Sequence, residues 1–190
     1  MGYRSLAECV ADLEKHGHLI RIKEEVDPYL EMAAIHMRVF DVEGPALLFE
    51  NVKGSKFPAV SNLFGTLDRS KFMFRDTLDH VKKLVDVKMN PMSVLKKPLD
   101  YVGSSMVALG ALPWRKKAGA PILYGQTQIS ELPQIVNWPM DGGAFVTMPQ
   151  VYSEDVERPG IMQANLGMYR IQLSGNDYIP NAEIGLHYQL

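Results

Sequence analysis

Six consecutive positions, Asn165-Leu166-Gly167-Met168-Tyr169-Arg170, combine an amide oxygen, a glycine, an aromatic ring and a guanidinium. An arginine can take a carboxylate or phosphate through paired hydrogen bonds. An amide oxygen can ligate a hard divalent cation or accept from a hydroxyl. On a continuous strand Arg170, Met168 and Leu166 share one face, and Asn165, Gly167 and Tyr169 share the other. Asn165 and Arg170 then approach one ligand only if the strand bends, and Gly167 is the natural place for the bend. The same residues also fit a surface strand with a solvated arginine, and on residue types alone that reading is the simpler. His187 is a second candidate. A lone histidine in a strand is ordinarily structural, and it gains a ligand role only by meeting Asn165 in space. Asp141-Gly142-Gly143 is a third. It reads either as a backbone loop close to a ligand or as a tight turn before a strand, and the turn is preferred.

Whole classes of chemistry are absent from the sequence. It has no GxxxxGKS or GxxxxGKT loop, no GxGxxG, no HExxH and no CxxC. It has no GxSxG elbow either. His16, His18, His36 and His80 lack metal-ligand spacing, although His16 and His18 suit the negative end of a helix dipole. With 20 basic and 22 acidic residues among 190, there is no basic excess to neutralise nucleic-acid phosphates. No apolar run approaches the roughly 20 residues that span a bilayer. The single cysteine, Cys9, sits on a helical pattern and reads as packing, in keeping with a reducing, cytoplasmic setting. Arg115-Lys116-Lys117 reads as a solvated linker.

Local patterns supply the elements that must position these residues. Ser5 and Glu8 match a capping box that starts a helix, with Leu6, Val10 and Leu13 on one face and Gly17 as its stop. Residues 19–23 alternate as a half-buried strand. Asp27 as N-cap and Pro28 at the first helical position predict a second helix burying Met32, Ile35, Val39 and Phe40. Gly44-Pro45 ends it. Strands are predicted at 46–51 and 58–64 around a turn at Gly54, and a helix from Asp76 to Asn90-Pro91 carries Leu78, Val81, Leu84 and Val85. Residues 92–117 read as short helices and linker. Beyond them, strands are predicted at 121–129, 144–152, 161–170 and 184–190, punctuated by glycine and proline. Helix-rich first and strand-rich later predicts an α+β chain of two units, 1–115 and 116–190. The last pattern stops inside an apolar strand, which predicts truncation; a C-terminal edge strand is the alternative.

These segments together resemble the UbiD decarboxylase family over essentially the whole chain. The resemblance lies in the opening helix and strand, the Asp27-Pro28 helix, the run from Gly44-Pro45 to Gly54, and Ser61-Asn62-Leu63-Phe64-Gly65-Thr66. It continues in Trp138-Pro139, Asp141, Gly143 and Thr147, in Asn165 to Arg170 followed by Gln172, and in His187-Tyr188-Gln189. It implies a small N-terminal α/β unit followed by the beginning of a split β-barrel that holds prenylated FMN. It also implies a divalent metal, Mn²⁺ or Mg²⁺, with K⁺ at the cofactor phosphate. By motif position, Asn165 and His187 would ligate the metal. Met168, Tyr169, Arg170, His187, Tyr188 and Gln189 would line the cofactor together with Asn165, and Arg170 would be the catalytic guanidinium.

The implied function is non-oxidative decarboxylation of small aromatic or α,β-unsaturated acids by a cytoplasmic homo-oligomer, with no nucleic-acid partner and no membrane span. The family's further metal-binding glutamate and the acidic partners of its arginine have no counterpart motif here; Glu131, Glu154 and Glu183 lie in other contexts. The 190-residue chain alone is therefore expected to be inactive. A non-catalytic flavin-binding or interaction module is the alternative, and an ordinary FMN reductase is a third reading, disfavoured by the Asn165–Arg170 pairing.

Overall fold

The computed structural model describes residues 2–90, 109, 118–120 and 124–187. Over residues 2–90, called the first unit below for position only, α1 (Leu6–Lys15) leads to β1 (Leu19–Val26), α2 (Glu31–Asp41), β2 (Ala46–Val52), β3 (Ala59–Ser61), α3 (Leu67–Met73) and α4 (Leu78–Met89). Residues 124–187, called the second unit below, contain short 3-10 turns at Ile129–Glu131 and Ile161–Gln163. Their strands are β4 (Phe145–Val146), β5 (Gln150–Glu154), β6 (Ala164–Met168), β7 (Arg170–Gln172) and β8 (Gly185–His187). The chain is α+β, as its sequence predicts. The boundary near residue 115 and the predicted elements at 92–108 and 110–117 lie outside the described residues.

Local chemistry makes α1 as expected, with one change. Ser5 Oγ accepts from the Glu8 N–H at 3.2 Å, but the Glu8 carboxylate takes the N–H of Arg4, at 2.7 Å, instead of that of Ser5. Gly17, at φ 75°, closes the helix. Its N–H reaches the Glu14 carbonyl and the His18 N–H reaches that of Leu13, the two bonds of a Schellman stop. His16 Nδ1 lies 2.9 Å from the Asp12 carbonyl.

The sheet of the first unit has the order β1-β2-β3, parallel then antiparallel. Alternation along β2 sends its side chains into two cores. Ala46 joins Cys9, Val10, Leu13, Leu19 and Met73 on the α1–α3 face, with Leu48 packed against them. Leu47 and Phe49 join Val26, Met32, Val52 and Ala59 on the α2 face. Cys9 is buried with its Sγ 3.7 Å from Met73 Sδ, and burial pushes its thiol up, in keeping with packing.

Helix α2 departs from expectation. It begins at Glu31, with Leu30 in a left-handed conformation (φ 66°) as its N-cap. Asp27 instead accepts from the Tyr29 N–H at 2.8 Å and pairs with Lys53. Residues 28–30 are held by the second unit: the Val136 N–H donates to the Pro28 carbonyl and the Leu30 N–H to that of Val136, both at 3.0 Å. Tertiary pairing thus overrides the local start signal. Phe40 is exposed and stacks on His36, while Met32 is buried and Ile35 and Val39 pack on the core. Helix α3 is not among the predicted elements, although Thr66 caps it by accepting the Arg69 N–H at 3.2 Å.

The strands of the second unit form two antiparallel sheets, β4-β7-β8 and β5-β6. Predicted strand 144–152 is divided between them, and so is 161–170, whose first residues form a 3-10 turn. Residues 124–128 are not a strand, and Ile129–Glu131 turns back onto the first unit. There Ser55 Oγ donates to the Glu131 carbonyl at 2.7 Å, and Lys56 Nζ lies 2.8 Å from the Glu131 carboxylate. Lys56, then the Thr127 hydroxyl and the Gln128 N–H, hold that carboxyl down to about 2. A carboxyl depressed by folding contributes stability that is fully present above its unfolded value and is lost as pH falls through its folded one. The tie is expected to be intact at neutral pH and to weaken between about pH 4.5 and 2. The Glu131 side-chain carboxyl resonance should titrate near 2, and a midpoint near 4.5 would show the tie absent in solution.

Candidate functional site

The strand from Asn165 to Arg170 breaks at Tyr169. Upstream, β6 pairs with β5, placing Asn165 opposite Ser153 and Gly167 opposite Val151. Downstream, β7 pairs with both β4 and β8, placing Arg170 opposite His187 and Gln172 opposite Phe145 and Gly185. Gly167 is therefore not the bend. A Cβ there would collide with the Tyr169 ring, so Gly167 makes room for that ring over the strand. The Tyr169 hydroxyl accepts from Asn165 Nδ2 at 2.6 Å. Asn165 Oδ1, the atom a hard cation would take, stays outside this bond. Met168 is exposed.

Arg170 is held on two sides. Its Nη2 lies 2.8 Å from Asp141 Oδ1, and its Cζ sits 3.6 Å from the centroid of the Phe145 ring. Asp141 Oδ2 accepts the N–H groups of Asn137 and Trp138, both at 3.2 Å. The Asp141 side chain is 8% exposed and that of Arg170 37%. Burial, the largest single influence on the Asp141 carboxyl, pushes it up. The bond and charge of Arg170, with the Trp138 and Asn137 amides, outweigh burial and hold it below the usual carboxylate value.

Asp141-Gly142-Gly143 forms the expected tight turn, with Gly142 at φ 74°. Its approach to residues 174–175 is so close that a Cβ on Gly143 would overlap the Ser174 carbonyl. The role of the Asp141 side chain had no local signal, since its partner Arg170 is far along the chain.

His187 is oriented by Gln172, which is 2% exposed. Gln172 Nε2 donates to the carbonyls of Ser174 (3.0 Å) and Gly142 (3.4 Å), which fixes its Oε1 toward His187. His187 Nε2 lies 3.1 Å from that oxygen and carries the hydrogen, so in the neutral ring Nδ1 is the nitrogen with the lone pair. The His187 ring packs edge-on against Phe145, with centroids 5.4 Å apart. Arg170, Phe145, His187, Gln172 and Asp141 thus form one contiguous cluster. Asn165 sits on the other sheet. Among the described residues no group of three or more His, Cys, Asp or Glu side chains is placed to hold a metal. Tyr188 and Gln189 lie outside the described residues.

Arg170 also lines a cavity of about 670 Å³ between the two units. Met32, Met37, Ile135, Trp138 and Met148 make much of its wall apolar. His36 and Ser61 add a polar pair, with Nδ1 and Oγ 2.6 Å apart, and burial lowers the His36 pKa.

An α+β chain with a charge-paired arginine beside a histidine oriented by a buried glutamine is the class this geometry defines. Residues 10–88 match the model of the 3-octaprenyl-4-hydroxybenzoate carboxy-lyase N-terminal domain, and residues 116–190 match that of the same enzyme's Rift-related domain. The chain belongs to the UbiD carboxy-lyase family.

Similar proteins include one from Chlamydia trachomatis serovar D, 40% identical over 98% of this chain and 31% of its own length. Another, from Chlamydia pneumoniae, is named as a subunit of 4-hydroxybenzoate decarboxylase and is 38% identical over 90% of this chain and 28% of its own. The chain thus spans about a third of the length of these relatives. Among solved structures, the closed form of the Sedimentibacter hydroxybenzoicus vanillic acid decarboxylase superposes with a TM-score of 0.74. It is 24% identical over 100% of this chain and 38% of that one. An evolved dimeric form of HmfF from Pelotomaculum thermopropionicum, in complex with prFMN, gives 0.64 at 23% identity, over 98% and 39%. At these identities the likeness establishes the fold.

Proposed function

We propose that this chain is the cofactor-holding part of a prenylated-FMN-dependent, non-oxidative decarboxylase of aromatic or α,β-unsaturated acids, in which Arg170 takes the substrate carboxylate. One observation carries this reading: a guanidinium fixed by Asp141 and Phe145 stands on the wall of a largely apolar cavity large enough for a small aromatic acid. The activities and the ligand named for the relatives point the same way. The two sheets of the second unit are then the described part of a split barrel.

The residues present fit a cofactor–metal site in their chemistry. Asn165 offers an amide oxygen, and His187 offers a lone pair on Nδ1 because Gln172 fixes its tautomer. An amide oxygen suits Mg²⁺ or Mn²⁺ and an imidazole is tolerated by Mn²⁺, with K⁺ as a further ion at the phosphate. Bound prenylated FMN would supply the electron sink for loss of CO2. Met168, Tyr169, Tyr188 and Gln189 would line it. The chain's own residues orient the acid: Arg170 holds the carboxylate, while Met37, Trp138 and Met148 keep water from its ring.

With two proposed donors among the described residues a divalent ion is held weakly, and the 190-residue chain alone is proposed not to turn over. Exposed Met162 and Leu166 favour burial against further protein, in keeping with a homo-oligomer.

The test is equilibrium dialysis of 4-hydroxybenzoate against the chain and its Arg170→Ala variant. Loss of a charge-assisted pair worth about 1.5–3 kcal/mol weakens binding by roughly 10- to 150-fold. Binding of the neutral 4-hydroxybenzamide should change little. Equal affinity of the acid for both proteins would sink the reading.

A further inference from the structure

We infer that Asp141 is a positioning residue for Arg170, an acidic partner supplied from within this chain that aims the guanidinium at the cavity. The inference rests on the carboxylate-binding reading of Arg170.

The geometry is specific. Asp141 divides its two oxygens between two tasks. Oδ2 is anchored by the amides of Asn137 and Trp138, and Oδ1 takes a single guanidinium nitrogen, Nη2. A planar guanidinium has five N–H donors and two faces. Here one nitrogen is tied to a carboxylate and one face is covered by Phe145 at 3.6 Å, while the residue still lines the cavity. Rotation about the terminal bonds is thereby restricted, and the remaining donors stay available for a second carboxylate. Asp141 does not drift, because its turn is seated on residues 174–175. Leu173 N–H donates to the Ala144 carbonyl at 2.7 Å, and Ala144 N–H donates to Ser174 Oγ at 3.2 Å.

Asparagine cannot reproduce this arrangement. Its amide has one acceptor oxygen and one donor nitrogen, so either the two backbone amides or Arg170 would face an N–H. A preorganised guanidinium loses less freedom on taking an acid than a free one. Removing the carboxylate should therefore weaken acid binding, even though it also removes a competing negative charge.

Two readouts separate this inference from the reading beneath it. The first needs no ligand and no variant. In the folded wild-type chain the two Arg170 Nη nitrogens should give distinct NMR signals, because rotation about Nε–Cζ, which exchanges them, is slowed by the tie of Nη2 to Asp141. One averaged signal would overturn the inference whether or not the acid binds. The second is 4-hydroxybenzoate affinity. Asp141→Asn should weaken it about 5- to 20-fold and merge the Nη signals. Asp141→Glu, which restores the charge, should recover affinity to within about threefold. Phe145→Leu, which removes only the covered face and no charge, should cost about 2- to 5-fold. It serves as the second variant if the Asn substitution unfolds. Affinity unchanged or raised in Asp141→Asn, with Arg170→Ala impaired, would make Asp141 a competitor and overturn the positioning role. If Arg170→Ala binds the acid normally, the carboxylate reading falls, and the Nη signals alone decide whether Asp141 restrains Arg170.

Discussion

Arg69→Met is expected to destabilise the chain by about 3–5 kcal/mol, a large share of the roughly 5–15 kcal/mol that holds a domain folded. Arg69 is 2% exposed, and its side chain bonds to backbone carbonyls. Nε donates to Leu63 (3.0 Å), Nη1 to Gly44 (2.9 Å) and Nη2 to Asn62 (2.6 Å). Burial pulls its pKa down, yet an arginine keeps its charge. These bonds gather the loop before β2 and the loop after β3 onto α3.

Methionine keeps most of the volume but leaves the Leu63 carbonyl without its side-chain donor and the Asn62 carbonyl with only the long Gly65 N–H bond, at 3.4 Å, and the cost is that of poorly met buried acceptors. Asn62 Nδ2 can still serve Gly44 and Pro45, at 3.2 and 2.9 Å, so the Gly44 carbonyl retains one partner. Arg69→Lys reaches one carbonyl in place of three and should cost about 2 kcal/mol. Urea unfolding followed by circular dichroism measures both. An Arg69→Met stability within about 1 kcal/mol of wild type would show that the carbonyls find other donors.

Arg69 also explains why α3 is hidden in the sequence. Its buried positions are Arg69 and Met73, one helical turn apart, so a charged residue stands where periodicity looks for an apolar one. By contrast α1 and β2 are legible, because a cap, a stop and an alternation are all local signals. The start of α2 is misread for the opposite reason: Asp27-Pro28 is a sound local signal overruled by pairing of residues 28–30 with Val136. In the site, the motif from Asn165 to Arg170 is visible as a set of residue types. Its division between two sheets at Tyr169 is not, because Gly167 looks like the weaker point. The Asp141–Arg170 and Gln172–His187 pairs depend on the register of β7 with β4 and β8 and on the seating of one turn. Spacing within the chain carries neither. The family resemblance locates Arg170, and only the fold supplies what holds it.

The seating of that turn makes Gly175 the position where stability and site are most tightly linked. Gly175→Ala meets two separate penalties. Its φ of 92° disfavours any residue with a Cβ, and that Cβ would overlap the Gly142 carbonyl oxygen, a backbone atom that cannot swing aside. Gly54 isolates the first penalty, since it has φ 77° with nothing within 4 Å of the place an added methyl would take. Gly54→Ala should therefore cost about 1 kcal/mol. Gly175→Ala should cost about 3 kcal/mol or more, because the 141–143 turn must also lift away from 174–175. The lift carries Asp141 with it. Gly175→Ala is thus expected to merge the Arg170 Nη signals and to weaken 4-hydroxybenzoate binding, although residue 175 touches neither group. Gly54→Ala should leave both unchanged. Thermal melts give the stability difference, and the NMR signals measured well below the melting point give the local one. If the Gly175 variant lost stability yet kept distinct Nη signals, Asp141 would be anchored by Asn137 and Trp138 alone, and the glycine contact would serve folding without serving the site.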